Sequence, residues 1–166
     1  MSNYISRKKT LMGKNYTIEV PLEQYGGAVV RVHAIPDMEL ARIEDRADYK
    51  LEDALAALSS QDLTPEEVEA LKSNTADPKL VQKGAQALSP KLTLFLGELC
   101  KAGMVPNPDC ACKGKGCDEC DINAMVEEFR GFTVLMVGMA VIGASTASWK
   151  DIEDFFSQQR APSGPG

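Results

Sequence analysis

Gly131-Phe-Thr-Val-Leu-Met-Val-Gly-Met-Ala-Val-Ile-Gly-Ala-Ser-Thr-Ala-Ser-Trp149 runs without a charged residue between Arg130 and Lys150. As one helix it would measure about 28 Å, close to the thickness of a bilayer core. A membrane span would make the rest of the chain an appendage, whereas a buried helix would make it the centre of a globular domain. Only Phe132 to Ala144 is strongly apolar, and Ser145, Thr146 and Ser148 follow at once. Ser148-Trp-Lys-Asp151 also reads as a capping box that starts another helix. The stretch is therefore read as a buried central helix ending near Gly143, with no membrane partner. On its N-terminal side, Asp121 or Asn123 is the expected cap of one long helix through Met125, Phe129, Leu135 and Met139.

Directly before that helix lies Cys110-Ala-Cys112-Lys-Gly-Lys-Gly-Cys117-Asp-Glu-Cys120, and the only other cysteine is Cys100. Four thiolates on so short a loop can converge on one tetrahedral Zn²⁺ without distant ligands. Gly114 and Gly116 supply the positive-φ freedom that a tight loop needs. Lys113 and Lys115 offset part of the negative charge, while Asp109, Asp118, Glu119 and Asp121 add to it. With no nearby His and no open position, the predicted Zn²⁺ is structural. An iron–sulfur cluster uses the same ligand type and stays open as an alternative. Two disulfides would require an oxidising compartment, and MSNYISRKKT at the start has no apolar signal-peptide region. A cytoplasmic location is expected, the host cytoplasm if the chain is viral. Cys100 sits in an apolar helical run and is read as a free, small buried hydrophobe. The loop joins two expected helices, Lys91–Ala102 and Asn123–Gly143, so a metal there would clasp an αα-hairpin.

Further out, Tyr16, Ile18 and Val20 alternate with polar residues, and Ala28 to Ile35 is β-branched and apolar. Glu23-Gln-Tyr-Gly-Gly27 between them is turn-rich, which predicts a β-hairpin. After Pro36, Asp37 is the expected cap of a helix carrying Leu40, Ile43, Ala47, Leu51, Ala54, Leu55 and Leu58. Thr64-Pro-Glu-Glu67 combines a cap, a proline at the first position and a glutamate at the third. Asp77-Pro78 and Ser89-Pro90 repeat the cap-then-proline pattern. The predicted fold is mainly α with a small N-terminal β-hairpin (α+β), a helical bundle whose four-cysteine zinc loop joins two helices. Residues 1–15 form a basic flexible arm and 16–160 a single domain. Within it, 16–36 are the hairpin and 37–160 are helical, with the zinc loop at 109–121. Residues 161–166, APSGPG, read as a disordered tail.

The net charge of −6 argues against nucleic acid as a partner. The charge is unevenly spread. Residues 1–18 carry Arg7, Lys8, Lys9 and Lys14 with no acid, whereas 37–69 hold eleven acids against Arg42, Arg46 and Lys50. A basic arm and an acidic face can meet within a molecule or between copies of a homo-oligomer. No nucleophile elbow, phosphate-binding glycine loop, zinc-protease helix or dinucleotide fingerprint is present, so an enzyme is not expected. His33, the only histidine, is read as a strand residue with no catalytic part.

The run Tyr16-Thr-Ile-Glu-Val-Pro-Leu22, followed by Gly26-Gly-Ala-Val-Val-Arg31-Val-His-Ala-Ile-Pro36-Asp-Met-Glu39-Leu40, resembles the opening of phage and prophage tail assembly chaperones. Those small acidic proteins begin with a hairpin, break, and continue as an acidic helix and a helical domain. The resemblance implies a non-enzymatic protein that holds apolar helices of a tape-measure protein until the tail tube assembles. Met125, Met136 and Met139, with Phe129 and Phe132, would give the long helix an adaptable partner-binding surface. Ordinary core packing is the competing reading of the same residues. Two other roles stay open: a structural component of a virion or other complex, joined by strand addition, and a zinc-knuckle regulator. The regulator would need a basic helix beside the metal, and residues 121–145 offer only Arg130.

Overall fold

The hairpin forms where the alternation places it. In the computed structural model, which describes residues 16–59, 62–113, 115–130, 132–147 and 149–160, β1 (Thr17–Leu22) runs antiparallel to β2 (Ala28–His33). Val20 lies opposite Val30 and Ile18 opposite Val32. Val20, Leu22 and Val32 are buried, while Glu19, Pro21 and Arg31 face out. Between the strands a 3₁₀ turn, Glu23–Tyr25, is followed by Gly26 and Gly27 at φ 71° and 77°, a backbone that glycine adopts without a Cβ clash. A third strand, β3 (Met104–Val105), pairs with Arg31 and Val32, so the expected hairpin is part of a three-stranded antiparallel sheet. Two residues carry no alternation, and β3 exists because β2 offers it an edge. The basic arm 1–15 and the tail 161–166 lie outside the described residues.

Helices account for most of the remainder. The helix expected from Asp37 to Leu58 is two: α1 (Asp37–Ala47) and α2 (Leu51–Ser59). Pro36, not Asp37, is the cap position, and Asp37 opens the first turn, where its charge suits the helix dipole. Asp48 ends α1 in the left-handed region at φ 49°, a conformation that Asp tolerates better than most residues. Glu44 then accepts the Leu51 N–H at 2.9 Å and holds the start of α2. Thr64 forms the full reciprocal capping box with Glu67 on α3 (Pro65–Lys72). Asp77 caps α4 (Pro78–Ala85), and Ser89 caps α5 (Pro90–Gly103), each through the amide three residues on.

The expected long helix from Asn123 is also two, α6 (Ile122–Glu127) and α7 (Thr133–Thr146), with Asp121 capping α6. The hairpin connector holds the break open. Tyr25 Oη accepts the Arg130 N–H at 3.0 Å, and the Gln24 amide donates to Thr133 Oγ1, which donates to the Arg130 carbonyl. The last helix is α8 (Trp149–Arg160); Ser148, its predicted cap, lies outside the described residues.

Helix α7 is the centre of the molecule. It packs chiefly on α5, then on α3, both long strands and α4. Leu135, Val137, Met139, Ala140 and Val141 are fully buried, consistent with a helix that is apolar all round. Close approach depends on glycine. A Cβ at Gly143 would overlap the Lys72 carbonyl, and one at Gly138 would press on Leu96. The polar end of the stretch has a local purpose: Ser145 Oγ accepts the Ile35 N–H at 2.9 Å and donates to the Val141 carbonyl at 2.7 Å. Among the described residues no helix is long and apolar enough to cross a membrane.

Candidate metal centre

The loop that carries the four cysteines is anchored on both sides. Before it, α5 ends at Gly103 against Val141, and β3 then binds the chain to the sheet. After it, a 3₁₀ turn at Asp118–Cys120 leads into α6, which packs on α5 through Val126. Lys101 of α5 bonds Glu127 of α6 and lies 3.8 Å from Glu98, so a shared cation clamps the two helices. The Glu127 hydrogen bond raises the Lys101 pKa, as a close ion pair does.

Between these anchors the backbone closes in a chain of turns. Cys110 N–H reaches the Asn107 carbonyl, Lys113 N–H that of Cys110, Lys115 N–H that of Cys112, and Cys120 N–H that of Cys117. The positive φ that the fold-back needs comes from Lys113 at 49° and Gly116 at 86°; Gly114 lies outside the described residues. A lysine in that region was not expected where glycine was available one position on.

The turns bring the four sulfurs together. All lie within 4.8 Å of one another, with Cys110 to Cys117 at 3.4 Å, Cys112 to Cys120 at 3.3 Å and Cys117 to Cys120 at 3.5 Å. Metal–sulfur bonds of about 2.3 Å at tetrahedral angles set sulfurs about 3.8 Å apart, so this cluster is the size of one ion's coordination shell. None of the four is in a disulfide, and all are only partly buried, as a loop site on the surface would be. Cys100 is separate: it is fully buried on α5, with its thiol toward the Val134 carbonyl at 3.6 Å.

Crowding shows in the acidities. The Cys117 N–H favours a Cys120 thiolate, but the sulfurs of Cys112 and Cys117 outweigh it and push the thiol up to about 12. At Cys110 the backbone of Cys112 and the Cys120 sulfur act downward, but the sulfurs of Cys117 and Cys112, with burial, act upward and prevail. Four thiolates at this spacing repel one another, and a cation at their centre is what would let all four ionise. Burial pushes the Cys100 thiol up as well, which suits an inert core residue.

No known protein family, curated protein or solved structure matches this chain.

The residues expected on a partner surface divide. Met139 is fully buried in the core and presents no surface, whereas Met136 is half-buried against the same core. Phe132, 37% exposed, stands at the break before α7. Met125 and Phe129, by contrast, line a groove of about 620 Å³ between α6, the cysteine loop and the outer edge of β2. Sequence reasoning missed the groove's other side, Val29 and Tyr25, both exposed. Tyr25 packs its ring 6.2 Å from that of Phe129. The turn-rich connector signalled a hairpin but gave no sign that its aromatic residue meets α6. His33 is half-buried in β2, with its Nδ1 2.7 Å from the Ala34 carbonyl, as expected of a strand residue.

Proposed function

We propose that this is a non-enzymatic binding protein that holds an apolar helical segment of a larger assembly partner, as its resemblance to tail assembly chaperones implies. The observation that carries the reading is the groove. Its walls offer Val29, Met125, Phe129 and Tyr25 in one concave surface, and methionine and aromatic side chains adapt to varied apolar ligands. Its floor is held by the loop that brings the four cysteines together. In this reading those cysteines bind one structural Zn²⁺, which fixes the wall formed by Cys120 and α6 and does no chemistry. A closed set of four thiolates favours such a role, because it leaves no position for substrate or activated water.

The experiment is partner capture by the intact chain from its native cell, comparing Phe129→Ser with Met139→Gln. Phe129→Ser is expected to weaken capture of a helix-rich partner about tenfold while melting near the parent temperature. Met139→Gln is expected to lower the melting temperature instead, since it places an amide in the core. If Phe129→Ser leaves capture unchanged, the groove is not the binding surface and the reading fails. A second role, a permanent part of an assembled particle, draws on the outer edge of β1, which no strand covers among the described residues. Finding the protein in the finished assembly would favour it.

A further inference from the structure

The charge around the groove is one-sided. On its sheet wall Glu19 and Arg31 hold each other at 3.1 Å and cancel. The other acids have no such partner. Asp109 and Glu119 on the cysteine loop and Glu128 at the end of α6 all line the groove, all are exposed, and none is in an ion pair among the described residues. Lys101 is already taken by Glu98 and Glu127, and Lys113 and Lys115 share the loop without lining the groove. A helix that covers Tyr25, Val29, Met125 and Phe129 also takes water from these three carboxylates. That loss is unfavourable unless the helix brings cations in its place.

We propose that the helix this groove takes is amphipathic and basic along one border. Its apolar stripe lies on Tyr25, Val29, Met125 and Phe129, and lysine or arginine beside the stripe meets Asp109, Glu119 and Glu128. This rests on the helix-binding reading above and adds the partner's charge and its orientation, because the border at the Glu19–Arg31 pair calls for no charge. The same rim discriminates. An acidic helix would set like charges against it, so affinity for the right partner and rejection of the wrong one come from the same three residues. A second copy is among those rejected, since residues 37–69 hold eleven acids against Arg42, Arg46 and Lys50.

The test is titration of the intact chain with three synthetic helical peptides. They share one leucine and methionine stripe at helical spacing and differ only along one border of it, which is lysine, glutamine or glutamate. The lysine peptide is expected to bind about tenfold tighter than the glutamine peptide, the order that three exposed ion pairs supply together, and the glutamate peptide weakest. In about 1 M salt the gap should close. Glu119→Lys/Glu128→Lys should invert the order, whereas Glu52→Lys/Glu66→Lys, which changes net charge equally at exposed sites outside the groove, should preserve it. Phe129→Ser should weaken all three peptides and keep their order. Equal binding of the three would overturn the charge assignment and leave the helix-binding reading standing. Binding of none, or binding that Phe129→Ser leaves intact, would overturn both. An equal effect of the two lysine variants would trace the preference to net charge and overturn the proposal, as would a doubled mass in sedimentation that Phe129→Ser abolishes, which would assign the groove to a second copy.

Discussion

Helix α7 and the cysteine loop meet through Gly103 and β3, yet they are held by different forces. Around α7 the contacts are between carbon atoms: Phe95, Leu96 and Leu99 of α5 and Leu135, Val137 and Met139 of α7 are all buried to within 1%. Each such side chain contributes on the order of 1.5–3 kcal/mol. From Pro106 to Asp121 no apolar residue is buried among the described residues, and the convergent groups are four sulfurs. The core needs only its own side chains to persist. The loop has no apolar core of its own, only four sulfurs close enough to hold one metal ion. Stability and site therefore separate along the chain, and a perturbation in one region should be readable against the other.

The largest expected effect breaks the core. Phe95→Ala removes a fully buried ring packed 5.5 Å from Tyr49 and should cost about 3–5 kcal/mol in denaturant unfolding, with metal content per folded chain unchanged. The next breaks the loop alone. Cys117→Ser, or chelation of the parent, should raise amide exchange across 109–121 by about a hundredfold while the amides of α5 and α7 stay protected. Global unfolding on chelation would show that the two regions are not separable. Sharpening the contrast from the core side, Thr64→Ala removes the N-cap of α3 and should cost about 1 kcal/mol without touching the loop.

The smallest effect is one of pH. The Glu67 carboxyl is held below its usual range, first by the Thr64 backbone N–H and then by Lys83. A depressed folded pKa stabilises above the unfolded value and loses that stability as pH falls through the folded one. The melting difference between the parent and Glu67→Gln should be present at neutral pH and close below about pH 4. A difference that persists in acid would remove the ionised carboxylate from the account.

What the sequence disclosed follows the same division. The cysteine cluster was legible because all four residues lie on one loop, where spacing alone dictates proximity. Caps at Thr64, Asp77 and Ser89 were legible because each signal is complete within four residues. The two helix breaks were not. Asp48 stops α1 by a left-handed turn that carries no glycine or proline, and the gap before Thr133 depends on Gln24 and Tyr25 from the far end of the chain. Nor could the Met-rich run be oriented, since a helix apolar on every face has no pattern that marks a surface. Met139 went to the core, whereas Met125 and Phe129, beyond the break, went to the groove.

Metal content tests the central claim most directly. Elemental analysis of the intact protein, purified without added metal or chelator, should return about one zinc per chain. Cys117→Ser should lose most of it, whereas Cys100→Ser should retain it. Metal-free parent protein whose stability and loop exchange do not respond to added zinc would contradict the account, and iron with acid-labile sulfide would replace the zinc in it.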